Sequence, residues 1–319
     1  MVAFVTWVLG AFYTLHGNPE IRFFKHAARA KQAWAKRMTE EFQHKTVFFG
    51  GSSCTFSVDP ERLLKEHHLP AANMGLGAGM GLRVLTRFAL EQANPGDTLL
   101  MAMEPPVLLG PLEETMLGAQ ISFALDRPGW LAHGSAIDSS RPVSWLSSAL
   151  MLRPGGYHTI TLLGKVLSHK PLYRYAQSEI RVSGWQQSPL RRPAEPAVGA
   201  PGPLPLEVRQ YLTALRQWCE AHQIRIAYSL PWAYTDAEHL AELQRNNIRL
   251  LQDIATIFPV LKDSRLGADT DKEHFADTGW HLTQAAAAAR TDDLAQKVKA
   301  WDVWSAEELR TLPANEHLP

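Results

Sequence analysis

The sequence predicts an α/β fold, a doubly wound parallel five-stranded sheet with helices on both faces. Three observations point to it. Short apolar runs alternate with segments of helical periodicity along most of the chain. The runs Thr46–Phe49 and Thr98–Met103 are continuously apolar rather than alternating, as strands covered on both faces require. The junctions carry cap and stop residues where that alternation needs them.

Thr46–Phe49 is the first strand. Asp59 then Pro60 opens a helix over Pro60–His67, an N-cap followed by proline at the first helical position. Ala71–Asn73 is the second strand, and Met80–Ala93 is a helix that Pro95-Gly96 stops. After the third strand, Thr98–Met103, residues 105–205 break the rhythm. They hold Trp130, Trp145, Trp185, Tyr157 and Tyr173, two short helical stretches ("WLSSALML" and "TITLLGKVL"), and the Pro/Gly-rich "SPLRRPAEPAVGAPGPLP". This segment is an insertion before the fourth strand, at the sheet edge where open α/β sheets bind ligands, and reads as a lid or substrate platform. The alternation then resumes with helix Leu206–His222, strand Ile224–Ser229, helix Ala237–Ile257, strand Pro259–Lys262 and helix Thr283–Trp301.

The first forty residues stand apart, so the chain divides into an N-terminal segment, 1–40, and an α/β domain, 41–319, interrupted by the insertion. "MVAFVTWVLGAFYTL" is apolar and uncharged, and the basic "IRFFKHAARAKQAWAKRM" follows it. Fifteen helical residues cover roughly 22 Å, against about 30 Å for a hydrocarbon core. A standard signal peptide fits poorly, because a positive leading region and a small-residue cleavage site are both absent. The stretch reads as a membrane anchor that begins farther upstream, as an interfacial helix, or as a packed first helix.

Composition narrows the function. Lys plus Arg number 32 and Asp plus Glu 32, so no charge excess points to nucleic acid. Thirteen His residues form no metal-ligand spacing, and no metal or other cofactor is expected. Two cysteines, Cys54 and Cys219, make no disulfide framework, and Cys54 reads as a small buried thiol.

The chemistry centres on "VFFGGSSCTFSVDPE", residues 47–61. A serine directly after a strand and a glycine turn stands at the sheet's C-terminal edge, with turn N–H groups able to face an oxyanion. Two glycines admit a positive φ there. The turn lacks the Lys of a phosphate loop and the GxGxxG spacing of a dinucleotide site. A nucleophilic serine needs a base, and "HFADTGWHLTQAAAAARTDDL" brings Asp277 and His281 together in one loop ahead of a long helix. Asp269 and Asp271 are weaker partners for that base.

At these residues the chain resembles the SGNH/GDSL superfamily of hydrolases and acyltransferases, over 46–104 and 224–300. "VFFGGSS" is similar to the first family block, with Gly50-Gly51-Ser52 in place of Gly-Asp-Ser and "SVDPE" following as in its cell-envelope branch. "NMGLGAG" is similar to the second block, and "DTGWHLT" to the last, although Asp277 and His281 are one residue farther apart than usual. The third block, Gly-x-Asn-Asp, is missing. The strand ends in "MAMEPP", with Glu104 near the place of the family's asparagine.

The resemblance implies a flavodoxin-like SGNH hydrolase fold and an acyl-enzyme mechanism. Ser52 would be the nucleophile, His281 the base and Asp277 its orienting partner. Gly51 and one of Gly75, Gly77 or Gly79 would supply oxyanion N–H groups. Ser53, Glu104, Trp232 and Trp280 are expected around the pocket, Trp232 as a stacking face for a sugar. The implied substrate is an acyl ester, most simply acetyl, of a cell-envelope polysaccharide, on the periplasmic side of the inner membrane. A membrane-bound acyltransferase would be a partner. Two other readings stay open: an inactive SGNH-like scaffold that binds polysaccharide or such a partner, and a soluble intracellular carboxylesterase.

Overall fold

The computed structural model describes residues 1–113, 115–131, 137, 150–152, 156–170, 172–187, 195–197 and 202–312. Its strands are β1 (Thr46–Phe49), β2 (Ala71–Asn73), β3 (Thr98–Met101), β4 (Arg225–Tyr228), β5 (Ala233–Tyr234), β6 (Val260–Leu261), β7 (Ala268–Asp269) and β8 (Val303–Trp304). Six of them form one sheet in the order β2-β1-β3-β4-β6-β8. All its pairings are parallel except β6 with β8, and β5 pairs with β7 separately. The fold is therefore α/β with a mostly parallel sheet, its five expected strands running 2-1-3-4-5 as in flavodoxin-like folds.

The apolar runs are buried for the reason that made them legible. Every residue of β1 and β3 is buried, because helices cover both faces. The long cluster around Val47, Phe49, Leu99 and Met101 lies on one face, and that around Phe48, Leu100 and Ala227 on the other. The expected strands contract at their ends, the third to Met101 and the fifth to Val260–Leu261. The antiparallel edge strand β8 and the pair β5–β7 have two residues per strand, too few for a period-2 pattern.

Packing does not follow the expected boundary at residue 40. Helix Pro19–Glu41 buries Ile21, Phe24, Ala28, Lys31, Ala35 and Met38, a stripe at helical spacing. It covers edge strand β2, and Trp34 Nε1 donates to the Ala71 carbonyl at 2.8 Å. Asn18 starts it, accepting the Glu20 N–H at 3.0 Å ahead of Pro19. The basic half of the N-terminal segment thus belongs to the core. The apolar half is a separate helix, Val2–Phe12, joined through Tyr13–Gly17. Among the described residues no helix is long and apolar enough to cross a membrane.

"TITLLGKVL" falls in helix Gly156–Leu167, as expected. Trp145, most of "WLSSALML" and most of the Pro/Gly-rich stretch lie outside the described residues. Tyr173 and Tyr175 fold back onto the domain, their rings 5.2 and 5.9 Å from Phe23.

Lys31 is fully buried behind the β2 edge, with Nζ 3.4 Å from Asn73 Oδ1. Burial pushes its ammonium down to about 7, against a smaller opposing pull from Cys54. Between about pH 7 and the ordinary lysine value of 10.5, the unfolded chain binds one proton more than the folded one. The Lys31 contribution to stability therefore rises with pH across that window. Urea unfolding at pH 7, 7.5 and 8, below the range in which the buried thiols of Cys54 and Cys219 act in the opposite sense, will show this rise in the wild type, and Lys31→Met will remove it and be the more stable protein at pH 7.

Candidate active site

Strand register sets the first half of the site. Phe49 pairs with Met101, so the residues three beyond each, Ser52 and Glu104, emerge side by side at the C-terminal edge. The ladder continues past the strands, with Ala102 N–H to the Phe49 carbonyl at 2.7 Å and Leu76 N–H to the Gly50 carbonyl at 3.1 Å. Ser52 opens helix Ser52–Ser57, whose N-cap, Gly51, has no side chain to cap it. The Glu104 carboxylate serves instead. It accepts the Ser53 N–H at 2.6 Å, the Gly51 N–H at 3.1 Å and the Ser52 hydroxyl at 3.4 Å. Glu104 is 3% exposed. Two backbone donors and a helix start are what a buried carboxylate needs.

The two glycines have a different reason from the expected one. Gly51 has φ −80°, and neither it nor Gly50 has a positive φ. A Cβ on Gly51 would collide with the Glu104 carboxylate, and one on Gly50 with the Ala102 carbonyl. They are small so that the turn can meet the end of β3.

Asn73 fixes the other side of this helix. Its Nδ2 donates to the carbonyls of Cys54 at 2.8 Å and Val58 at 2.7 Å, and its Oδ1 accepts the Gly75 N–H at 2.9 Å. The Gly75 N–H is thereby bonded within the protein. Gly77 abuts the Phe24 ring and Gly79 is exposed near Leu117, so of the three glycines only Gly75 touches the Ser52–Ser57 helix. Ser53 is fully buried with no partner for Oγ among the described residues. Cys54 is buried as well, and burial pushes its thiol up to about 12, against the pull of Lys31. Ser52, half-buried, is the hydroxyl of this turn within reach of solvent.

The second half sits on the loop before helix Gln284–Ala300. A bridge between Phe275 and Leu282 closes that loop, reinforced by Ala276 N–H to the His281 carbonyl at 2.8 Å. With the loop closed, His281 Nδ1 lies 2.8 Å from Asp277 Oδ1. With the carboxylate at Nδ1, the proton belongs on Nδ1 and Nε2 is left as the base. Asp269 is held elsewhere, by Arg265 at 2.6 Å and His274 at 2.8 Å, and Asp271 caps the turn Lys272–His274.

A residue the sequence did not single out completes the pair. Tyr175, from the insertion, donates to Asp277 Oδ2 at 2.7 Å, and its oxygen lies 3.2 Å from His281 Nδ1. Arg174 reaches the same Asp277 oxygen at 3.4 Å. Burial, then the bond to Asp277, pushes the Tyr175 hydroxyl above its ordinary value, so it is a neutral donor. Burial opposes the charge on Asp277, but hydrogen bonds from His281 and Tyr175 and the pull of His281 outweigh it, and the carboxyl falls to about 2.

Phe56 joins the two halves. One helical turn after Ser52, its ring is 4.2 Å from the His281 imidazole and 5.5 Å from Tyr175. Ser52 itself bonds to Glu104 and not to His281. The tryptophans lie off this line. Trp232 is 5% exposed, with the guanidinium groups of Arg265 and Arg290 at 4.3 and 5.1 Å, so it offers no open face to a sugar. Trp280 packs against a cluster of Ala197, Ala233, Leu243 and Ala268. Among the described residues no group of His, Cys, Asp or Glu could hold a metal ion. Comparison with known families, with characterised proteins and with solved structures finds no match for this chain.

Because Asp277 titrates at about 2 when folded and near the ordinary 3.8 when unfolded, its contribution is present above about pH 4 and lost as pH falls to 2. Urea unfolding from pH 5 to pH 2 will show a shallower acid loss in Asp277→Asn than in the wild type. Tyr175→Phe will fall between them.

Proposed function

We propose that the protein is an SGNH-type serine esterase or O-acyltransferase acting on acyl esters, most simply acetyl, of a cell-envelope polysaccharide. One observation carries the reading: a hydrogen-bonded His281–Asp277 pair rests on Phe56, one turn from an accessible serine at a sheet edge. In the reaction, the Ser52 oxygen attacks the acyl carbonyl while His281 Nε2 takes the hydroxyl proton. Asp277 and Tyr175 hold the imidazolium that forms. The tetrahedral intermediate expels the alkoxide leaving group, which receives the proton from His281, and acyl-Ser52 remains. Water or a sugar hydroxyl then repeats the steps in reverse, giving hydrolysis or transfer. For the serine to transfer its proton, its hydroxyl must leave Glu104 and reach His281 Nε2. The setting we infer is the outer face of the inner membrane, beside a membrane-bound acyl donor.

A specific observation favours a second reading, a non-catalytic scaffold that binds the polymer or the acyltransferase. The Gly51 and Ser53 N–H groups already bond to the Glu104 carboxylate, whose charge opposes a developing oxyanion nearby.

Two experiments separate the readings. A fluorophosphonate will add its phosphonyl group to wild type, seen by intact mass, and not to Ser52→Ala; a full adduct on Ser52→Ala, or none on the wild type, removes Ser52 as nucleophile. Glu104→Gln keeps the shape and replaces an acceptor oxygen with a donor. It will raise kcat for p-nitrophenyl acetate by about tenfold or more, below the roughly hundredfold that one fully placed oxyanion donor contributes.

A further inference from the structure

Large apolar side chains on the surface are concentrated in two places. Of the fifteen that stand exposed among the described residues, six lie in residues 1–12 and five in residues 160–172. In helix Val2–Phe12 they include Phe4, Leu9 and Phe12, each more than 60% exposed. In helix Gly156–Leu167, Ile160, Leu163 and Leu167 follow each other at three and four residues and form one stripe, 59–74% exposed. Scattered single exposures are ordinary in soluble proteins, whereas two concentrated ones mark a contact surface.

Both helices leave the domain from one corner. The first runs through Tyr13–Gly17 into the start of helix Pro19–Glu41, where Phe23 lies. The second leads within six residues to Tyr173, whose ring packs on Phe23 and, at 6.2 Å, on Phe24.

Charge selects the occupant of that surface. Residues 1–37 carry six Lys and Arg against one acidic residue, of which Lys31 is buried and Lys36 and Arg37 pair with Glu40 and Glu41, and residues 156–178 carry three against none. The whole chain has a formal net charge of zero, so both apolar elements sit in the basic part of a neutral protein. Arg22, Arg29, Lys36, Lys170 and Arg174 are exposed. Apolar helices flanked by exposed cations suit the boundary of an anionic bilayer. The described helix Val2–Phe12 has 11 residues, against the roughly 20 that cross a hydrocarbon core of about 30 Å, a length that suits a helix lying in the interface.

We propose that the protein docks on an anionic phospholipid surface through two interfacial helices, Val2–Phe12 and Gly156–Leu167, acting together. A single short apolar anchor binds a membrane marginally, and a second signal makes the attachment stable. Tyr175 follows the second helix closely and touches the His281–Asp277 pair, so this attachment sets that pair beside the bilayer. The docking stands whether or not Ser52 is a nucleophile.

The test is sedimentation of the full chain with vesicles of phosphatidylcholine alone, or with about a third phosphatidylglycerol. Binding to the anionic vesicles, weakened by 0.5 M salt, is expected. Leu163→Asp/Leu167→Asp and Phe4→Asp/Leu9→Asp will each lower the partition coefficient by about tenfold or more. Lys165→Glu/Lys170→Glu, which replaces no apolar residue, will lower it only on anionic vesicles, so the outcome does not rest on one variant folding. No binding to either vesicle overturns the proposal, as does binding unaffected by all three pairs. Self-association in light scattering that the apolar changes abolish, without vesicle binding, assigns the surface to a second copy and also overturns it.

Discussion

The Glu104 carboxylate at the head of helix Ser52–Ser57 is the constraint on which the site's geometry depends. A six-residue helix leaving a strand through two glycines has little to fix its direction, since its N-cap has no side chain and its nucleus is costly. Glu104 supplies the missing acceptor from the neighbouring strand, and Asn73 ties the far end of the same helix to β2. The Ser52 turn is therefore held from both flanking strands, and its position follows from the sheet register. A cap of this kind contributes about 1 kcal/mol, small against the core but decisive for where one hydroxyl points.

The second fixed body is the loop that carries His281. Its bridge closes on itself, and Tyr175 joins it to the insertion, so the insertion is part of the site rather than a decoration beside it. Tyr175 acts on the pair in a defined way. A neutral donor on Oδ2 of Asp277 helps keep the carboxylate ionised, and its own oxygen, 3.2 Å from Nδ1, lies on the same side of the imidazole as Asp277, which leaves His281 Nε2 as the base.

What the sequence made legible was what local pattern determines. Continuous apolar runs located β1 and β3, Asp59-Pro60 located a helix start, and the Asp277–His281 spacing proposed a pair that does form. The bond from Glu104 to Gly51 and Ser53 joins residues more than fifty apart, and it depends on a register that no single run encodes. Tyr175 lay in an insertion without periodicity, where nothing distinguished it from Tyr173. The glycines were noticed for the wrong property. Conformational freedom is an attribute of the residue and can be read from its identity, whereas close approach is an attribute of its neighbours and cannot.

The same carboxylate links fold and chemistry. An amide at position 104 would leave one of the Gly51 and Ser53 N–H groups without an acceptor and available to an oxyanion, as an esterase requires. Glu104 reverses that polarity: the turn is capped internally, and its rigidity no longer relies on a ligand. A chain under selection for fast hydrolysis would be expected to keep those donors open. A chain whose acyl donor arrives in a tethered complex gains less from a reactive resting serine, because positioning then supplies much of the rate and an exposed nucleophile would lose acyl groups to water. Within the enzymatic reading, Glu104 therefore favours transfer over hydrolysis, with the resting serine held by Glu104 until a bound acyl group displaces that contact.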